Sequence, residues 1–177
     1  NLRLLYSLMY THPGTKLLFQ GGEFGQNSEW DFNGSLDWHL LANDFHKGAQ
    51  SLVRDLNKLY KNEPALHQKQ FSHEGFEWID HGDHQNSVMT YMRKGNDEKD
   101  NIIVVLNLTP VPRNQYRIGL PKAGTLKEIF NSDVKKYNGT DNFKNNTLKS
   151  DKKVWNNRKN SIELNLPPLG MLAFKYK

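Results

Sequence analysis

The 177-residue sequence contains no cysteine. A disulfide scaffold, a thiolate metal site and a cysteine nucleophile are therefore excluded. Long apolar runs are missing as well: the longest, such as Ile102 to Leu106, falls far short of the roughly 20 residues that cross a bilayer. No basic-then-apolar leader opens the chain, so no membrane partner is expected and the cytoplasm is the default location. Neither a Gly-x-Ser-x-Gly elbow nor a Gly-Lys-Ser/Thr phosphate loop occurs, which removes serine-hydrolase and P-loop chemistry. Hydrophobic residues make up only 36%, yet aromatics at 11% are too frequent for a disordered chain.

The charge excess is modest and local. Lys and Arg number 24 against 19 Asp and Glu, a net +5. The surplus sits late, at Lys135, Lys136, Lys144, Lys149, Lys152, Lys153, Arg158 and Lys159, mixed with Asn and Asp. Without an arginine-rich helix or a run of stacking aromatics, this reads as a solvated loop, and no nucleic-acid partner is expected. Asn-x-Ser/Thr sequons at Asn33, Asn107, Asn138 and Asn145 arise by chance in so Asn-rich a chain.

What is present divides into two parts. Leu2, Leu4, Leu5, Tyr6, Leu8, Met9 and Tyr10 cover nearly the whole circumference of a helix. Such a helix belongs between other elements of a larger protein, so the expectation is a chain cut from its upstream neighbours. His12-Pro13-Gly14 stops it. Lys16 to Phe19 predicts a short buried strand, running into the glycine-rich Gln20 to Gln26. Helix, turn, strand and glycine loop form the half-step of a parallel α/β fold, in which ligands sit after strand C-termini. Asn27 to Asp44 is polar and aromatic. Trp30 and Trp38 beside Glu29, Asp31 and Asp37 suit a sugar, whose rings offer a flat apolar face and whose hydroxyls need carboxylates and amides. The same tryptophans would equally pin a long loop to the core. From His46 to Asn62, Leu52, Val53, Leu56, Leu59 and Tyr60 mark the apolar stripe of a helix, with Arg54, Asp55, Lys58 and Lys61 on its solvated face.

Beyond about residue 70 the period changes to two. Phe76–Asp80, Ser87–Arg93, Asn101–Leu108, Gln115–Ile118, Thr125–Phe130, Ser161–Leu166 and Met171–Tyr176 predict strands of an antiparallel sandwich. Asn101–Leu108 is apolar almost throughout, as a strand buried on both faces should be. Residues 131–160 predict a long mobile surface loop. Chemistry rests on carboxylates alone: Glu23, Glu29, Asp31 and Asp37 cluster near the strand-end loop, but spacing in a loop does not set the roughly 5–10 Å of a glycosidase pair. His81 and His84 lie in a predicted hairpin turn without further ligands, so no metal site is assigned.

Taken together, several stretches resemble 1,4-α-glucan (glycogen) branching enzymes of the α-amylase superfamily. They are Lys16-Leu-Leu-Phe-Gln-Gly-Gly-Glu-Phe-Gly-Gln26, Glu29-Trp30, Ser35-Leu-Asp-Trp-His-Leu-Leu41 and Val53-Arg-Asp-Leu-Asn57. The likeness continues through Pro64-Ala-Leu-His67, Gly75-Phe-Glu-Trp-Ile-Asp80, Asn107-Leu-Thr-Pro-Val-Pro-Arg113, Asn131-Ser-Asp133 and Leu166-Pro-Pro-Leu169. Late departures are Leu126, where the family usually has Trp, and Asn157-Arg-Lys-Asn-Ser161, which lacks its His-Gly lead-in.

The resemblance implies an α+β chain: residues 1–70 as the end of a (β/α)8 barrel (helix, strand, loop, helix), and 71–177 as an all-β antiparallel C-terminal sandwich. It implies an α-glucan as partner, no cofactor, and catalytic carboxylates in the missing N-terminal part of the barrel, so that no residue here is catalytic. Glu23, Gln26, Glu29 and Trp30 would shape the substrate cleft, with Asp37 and Trp38 bracing the loop or extending the glucan surface. The alternative is a stand-alone carbohydrate-binding β-sandwich module.

Overall fold

The computed structural model describes residues 1–177 as three stacked layers. Two helices, α1 (Leu2–Thr11) and α2 (Asp44–Asn62), form the first. A six-stranded sheet forms the second, in the order β1 (Phe76–Asp83), β2 (Val88–Arg93), β3 (Ile102–Asn107), β8 (Gly170–Tyr176), β5 (Thr125–Asn131) and β6 (Thr147–Lys149). The pair β4 (Arg113–Leu120) and β7 (Asn160–Leu166) forms the third, and every pairing is antiparallel. No helix is long and apolar enough to cross a membrane.

The alternation along β3 explains the layering. Ile102, Val104 and Leu106 face the helices, packing with Leu4, Tyr6, Tyr10, Leu52, Leu56 and Leu59. Ile103 and Val105 face the other way, against Ile118, Leu120, Ile162, Leu164 and Leu166 of the β4–β7 pair. Because successive side chains point to opposite faces, an unbroken apolar strand serves two cores at once. The seven strands predicted beyond residue 70 all form, within two or three residues of their expected ends, and α2 carries its expected stripe. Asn43 caps α2, its side chain accepting from the Phe45 N–H at 2.8 Å.

Three expectations are corrected. Lys16–Phe19 is not a strand. Leu17 and Phe19 are 81% and 58% exposed, and the only backbone bond from this stretch is a turn closed by the Gly22 N–H on the Phe19 carbonyl. A strand needs a neighbour to take its N–H and C=O groups, and no other segment of the chain pairs with this one. The helix α1, apolar nearly all round, is covered by this chain on one side only, which does not conflict with its expected role: Leu4, Tyr6 and Tyr10 are buried, while Leu2 and Leu5 are exposed. His81 lies within β1 rather than in the turn, because two register shifts stretch that strand to Asp83.

The third correction concerns residues 131–160, which are anchored rather than mobile and contain β6. Asp133 is buried; its carboxylate accepts from the Thr140 N–H at 3.1 Å and pairs with Arg3 at 3.3 Å. Asn145 ties two layers together, donating to Glu128 and to the Asn165 carbonyl while accepting the Asn165 N–H at 2.8 Å. Tyr137 stacks on Phe130 and donates to Asp55 at 2.8 Å. Asp55 therefore leaves the solvated face expected of it and, with Lys136, fastens this segment to α2. Asn107, a sequon residue, is likewise fully buried, its amide donating to the Val111 and Pro167 carbonyls at 2.8 and 2.9 Å.

These anchors make stability sensitive to acid. Burial alone would raise the carboxyls of Asp55, Glu77 and Asp83, but hydrogen bonds and nearby cations outweigh it and hold all three below the ordinary range. A depressed folded-state pKa gives stability that is complete above the unfolded value and lost as pH falls through the folded one. The urea midpoint should thus fall as pH drops below about 4, and less steeply in Asp55→Asn. An equal slope in both proteins would remove Asp55 from the acid response.

Candidate functional site

The loop between α1 and α2 is built around a buried phenylalanine. Gly21 and Gly25 take φ of +84° and +68°, conformations that side chains resist, and the three-residue turn between them drops Phe24 to 0% exposure. Tyr6 donates to the Gly22 carbonyl at 2.6 Å, and the His46 ring nitrogen lies 2.9 Å from the Phe24 carbonyl. The incoming end of the loop is thereby fixed to both helices.

The outgoing end is clamped to the incoming one. The Gln26 side-chain oxygen accepts the Asp37 N–H at 3.0 Å, and Ser28 donates to the Asp37 carboxylate. The Trp38 ring lies 5.2 Å from that of Phe24, tilted by 33°. Between the clamps, residues 27–35 are all exposed. Trp30, 47% exposed, meets Phe19 edge-on at 5.6 Å and Phe32 at 6.1 Å, so three aromatics make an open apolar surface flanked by Glu29 and Asp31. Asp31 closes a local turn by accepting the Asn33 N–H at 2.9 Å.

The six residues singled out from the sequence do not converge on one cleft. Gln26, Asp37 and Trp38 belong to the clamp. Glu29 and Trp30 stand on the exposed span. Glu23 lines a separate cleft of about 400 Å³ with Gln50, Arg54, Asn57 and Lys58 of α2. Phe19 and Phe32, not singled out from the sequence, complete the aromatic surface. Phe19 sits in a run with the composition of a buried strand, and the Asp31–Gly34 turn that carries Phe32 gives little periodic signal.

The sheets bring their own similarity. The description "Alpha amylase, C-terminal all-beta domain" matches residues 78–177, the strands from β1 onward. The chain belongs to this family. Solved structures related to this alpha-amylase C-terminal all-β member share the fold at low identity. Ttha1563 from Thermus thermophilus superposes with a TM-score of 0.69 at 18% identity, over 99% of this chain and 31% of its own. The alpha-amylase from H. orenii gives 0.62 at 17%, over 99% of this chain and 35% of its own.

Sequence relatives are much nearer. The 1,4-alpha-glucan branching enzyme GlgB of Aquifex aeolicus is 50% identical over 177 residues, all of this chain and 28% of the relative. That of Cellvibrio japonicus is 51% identical over 175 residues, 99% of this chain and 24% of the relative. The chain thus spans about a quarter of the length of the curated relatives it matches.

Proposed function

We propose that this chain is the C-terminal part of a 1,4-α-glucan branching enzyme acting in glycogen biosynthesis in the cytoplasm. The observation that carries the reading is the 50% identity to the Aquifex aeolicus enzyme over the full 177 residues, helices and loop included. On this reading residues 1–70 are the end of a (β/α)8 barrel, and 71–177 are the sandwich appended to it. The exposed Leu2, Leu5, Leu17 and Phe19 are apolar surface that the rest of the barrel would cover. Lys16–Phe19 would become a strand once a parallel neighbour lay alongside.

The reaction would run on carboxylates supplied by that remainder. One attacks the anomeric carbon of an α-1,4 bond, forming a glycosyl–enzyme ester, while a second carboxyl gives its proton to the departing oxygen. The 6-hydroxyl oxygen of another glucan then displaces the ester and yields its proton to the second carboxylate, leaving an α-1,6 branch with net retention. The part played by this chain is one wall of the cleft. Trp30 stacks on a glucose ring, Glu29 accepts from hydroxyls, and the Gln26–Asp37–Trp38 clamp holds the loop in place, while Glu23 stays outside this wall in the cleft beside α2.

A chimera tests the reading. Replacing the matching 28% of the Aquifex aeolicus enzyme with this chain should preserve branch formation on amylose, measured by the fall in iodine absorbance and by counting chains after debranching. A folded chimera without activity would overturn the proposal. In the active chimera, Trp30→Ala should lower kcat/KM on long glucans about tenfold, taking one stacking contact at roughly 1.4 kcal/mol. An unchanged value would leave Trp30 as packing only.

A further inference from the structure

The sandwich carries a second cavity, away from the α1–α2 loop. It is a groove of about 690 Å³ on the β4–β7 face, lined among others by Arg113, Gln115, Tyr116, Lys153, Trp155 and Glu163. All lining residues except Pro112, Tyr116 and Trp155 are polar or charged. The formal charges cancel: Asp80, Asp83 and Glu163 against Arg113, Arg117 and Lys153. A balanced field gives no net attraction to an anion or a cation, and so polar a lining does not suit an apolar ligand. A neutral molecule rich in hydroxyls, with one flat face, fits both facts.

The groove is held open by specific devices. Trp155 closes a two-residue turn, its N–H donating to the Arg158 carbonyl at 3.0 Å and its carbonyl accepting the Arg158 N–H at 2.8 Å. Asn156 and Asn157 occupy the centre of that turn with φ of +46° and +57°, the hand a tight hairpin requires. Gly119 of β4 lies directly beneath: a Cβ there would sit 2.4 Å from the Trp155 carbonyl oxygen. Asn156 locks the turn down, accepting the Gly119 N–H at 2.8 Å and donating to Asp80 at 2.6 Å. The Trp155 indole is left 43% exposed on a rigid mount.

The opposite wall is similarly arranged. A register shift between Arg113 and Tyr116 puts Gln115 at a φ of +52°, secured by its N–H donating to Asn165 at 3.1 Å. Such bulges re-aim side chains, and strained residues of this kind concentrate where ligands bind. Tyr116 is fixed by donating to Asp83 at 2.6 Å. The Arg113 Nε is buried without any hydrogen-bond partner, although an unsatisfied buried donor is costly.

We propose that this groove is a secondary binding site for a linear α-glucan segment, with Trp155 as the stacking platform and Arg113, Gln115 and Glu163 as the hydroxyl-binding groups. The polyhydroxyl class follows from the groove itself; the choice of α-glucan rests on the branching-enzyme reading. A chain held here would stay attached to the protein while another segment is processed elsewhere, raising its local concentration.

The test uses the 177-residue chain and maltoheptaose, titrated by calorimetry, with thermal melting as the fold control. Trp155→Ala should weaken binding about tenfold, and Gln115→Ala severalfold, with melting unchanged because both side chains are exposed. Wild-type affinity in both folded variants, or no heat from the wild-type chain at millimolar sugar, overturns the proposal. Should Trp155→Ala melt early, Gln115→Ala decides alone. Binding of cellohexaose equal to that of maltoheptaose would refute the α-glucan assignment while leaving a polyhydroxyl site. The chimera's branching activity is scored separately, so an inactive chimera sinks the enzymatic reading without altering the titration.

Discussion

Replacing Arg93 with Met is expected to destabilise the protein by about 3 kcal/mol or more, lowering Tm by roughly 6–12 °C for a chain of this size. Arg93 is fully buried at the end of β2 and has no carboxylate partner among its hydrogen bonds. Its guanidinium instead donates to the Thr11 carbonyl at 2.7 Å, the Leu66 carbonyl at 3.2 Å and the Gly75 carbonyl at 3.3 Å. Thr11 ends α1, and Leu66 and Gly75 each end a short helical turn, so all three acceptors are terminal carbonyls at the negative ends of helical segments. That explains how a charge survives here without a counter-ion. Methionine fills similar space but strands the Thr11 and Leu66 carbonyls, each worth about 1–3 kcal/mol when buried unpaired, while the Gly75 carbonyl keeps the Lys94 N–H at 3.0 Å. Relief from desolvating the guanidinium offsets part of this, which keeps the expected loss well below the sum. Arg93→Lys should fall between the two, retaining charge but not the three-way fork. A urea midpoint unchanged in Arg93→Met would show that the carbonyls find other partners.

The second large effect is an absence. The 177-residue chain alone should form no α-1,6 branches on amylose, whatever its concentration. Retaining transfer needs two carboxyl groups about 5–5.5 Å apart, one of them sheltered so that it keeps its proton. The carboxylates of the loop do not meet this demand. Glu29 and Asp31 are exposed, Asp37 is engaged by Ser28, and Glu23 faces a separate cleft beside α2. Branched product from the purified chain, resistant to removal of trace contaminants, would relocate the catalytic pair into these residues.

The sandwich is legible in the sequence because local patterning determines it. The two-residue period of Ser161–Leu166 and the unbroken apolar run of Ile102–Leu106 state which faces are buried without reference to any other segment. The helix α2 is legible for the same reason. Failures share a different cause. Lys16–Phe19 has the composition of a strand, but a strand exists only with a partner, and composition says nothing of partners. Asp55, Asp133 and Asn145 read as surface residues because their bonds reach across more than one layer of the fold. Part of the β4–β7 groove lies inside a stretch that reads as a loop. The signal available is the Trp155-Asn-Asn-Arg158 tetrapeptide, since paired Asn residues at the centre of a tight turn tolerate positive φ.

For the loop of residues 20–42, legibility is partial. The glycines and the aromatic–acidic composition mark it out, and the Gln26–Asp37 clamp lies within the stretch they define. What sequence does not convey is the sorting of those residues into clamp, exposed surface and separate cleft, which depends on Phe24 being drawn beneath the helices.

The dual allegiance of β3 has a consequence for how this protein can be divided. Its odd and even residues answer to different neighbours, so neither helices nor outer strand pair can be peeled away without stripping one side of the same six residues. The helical segment and the sandwich are therefore not interchangeable cassettes: grafting either onto another host means carrying the shared strand along or rebuilding the side it leaves bare.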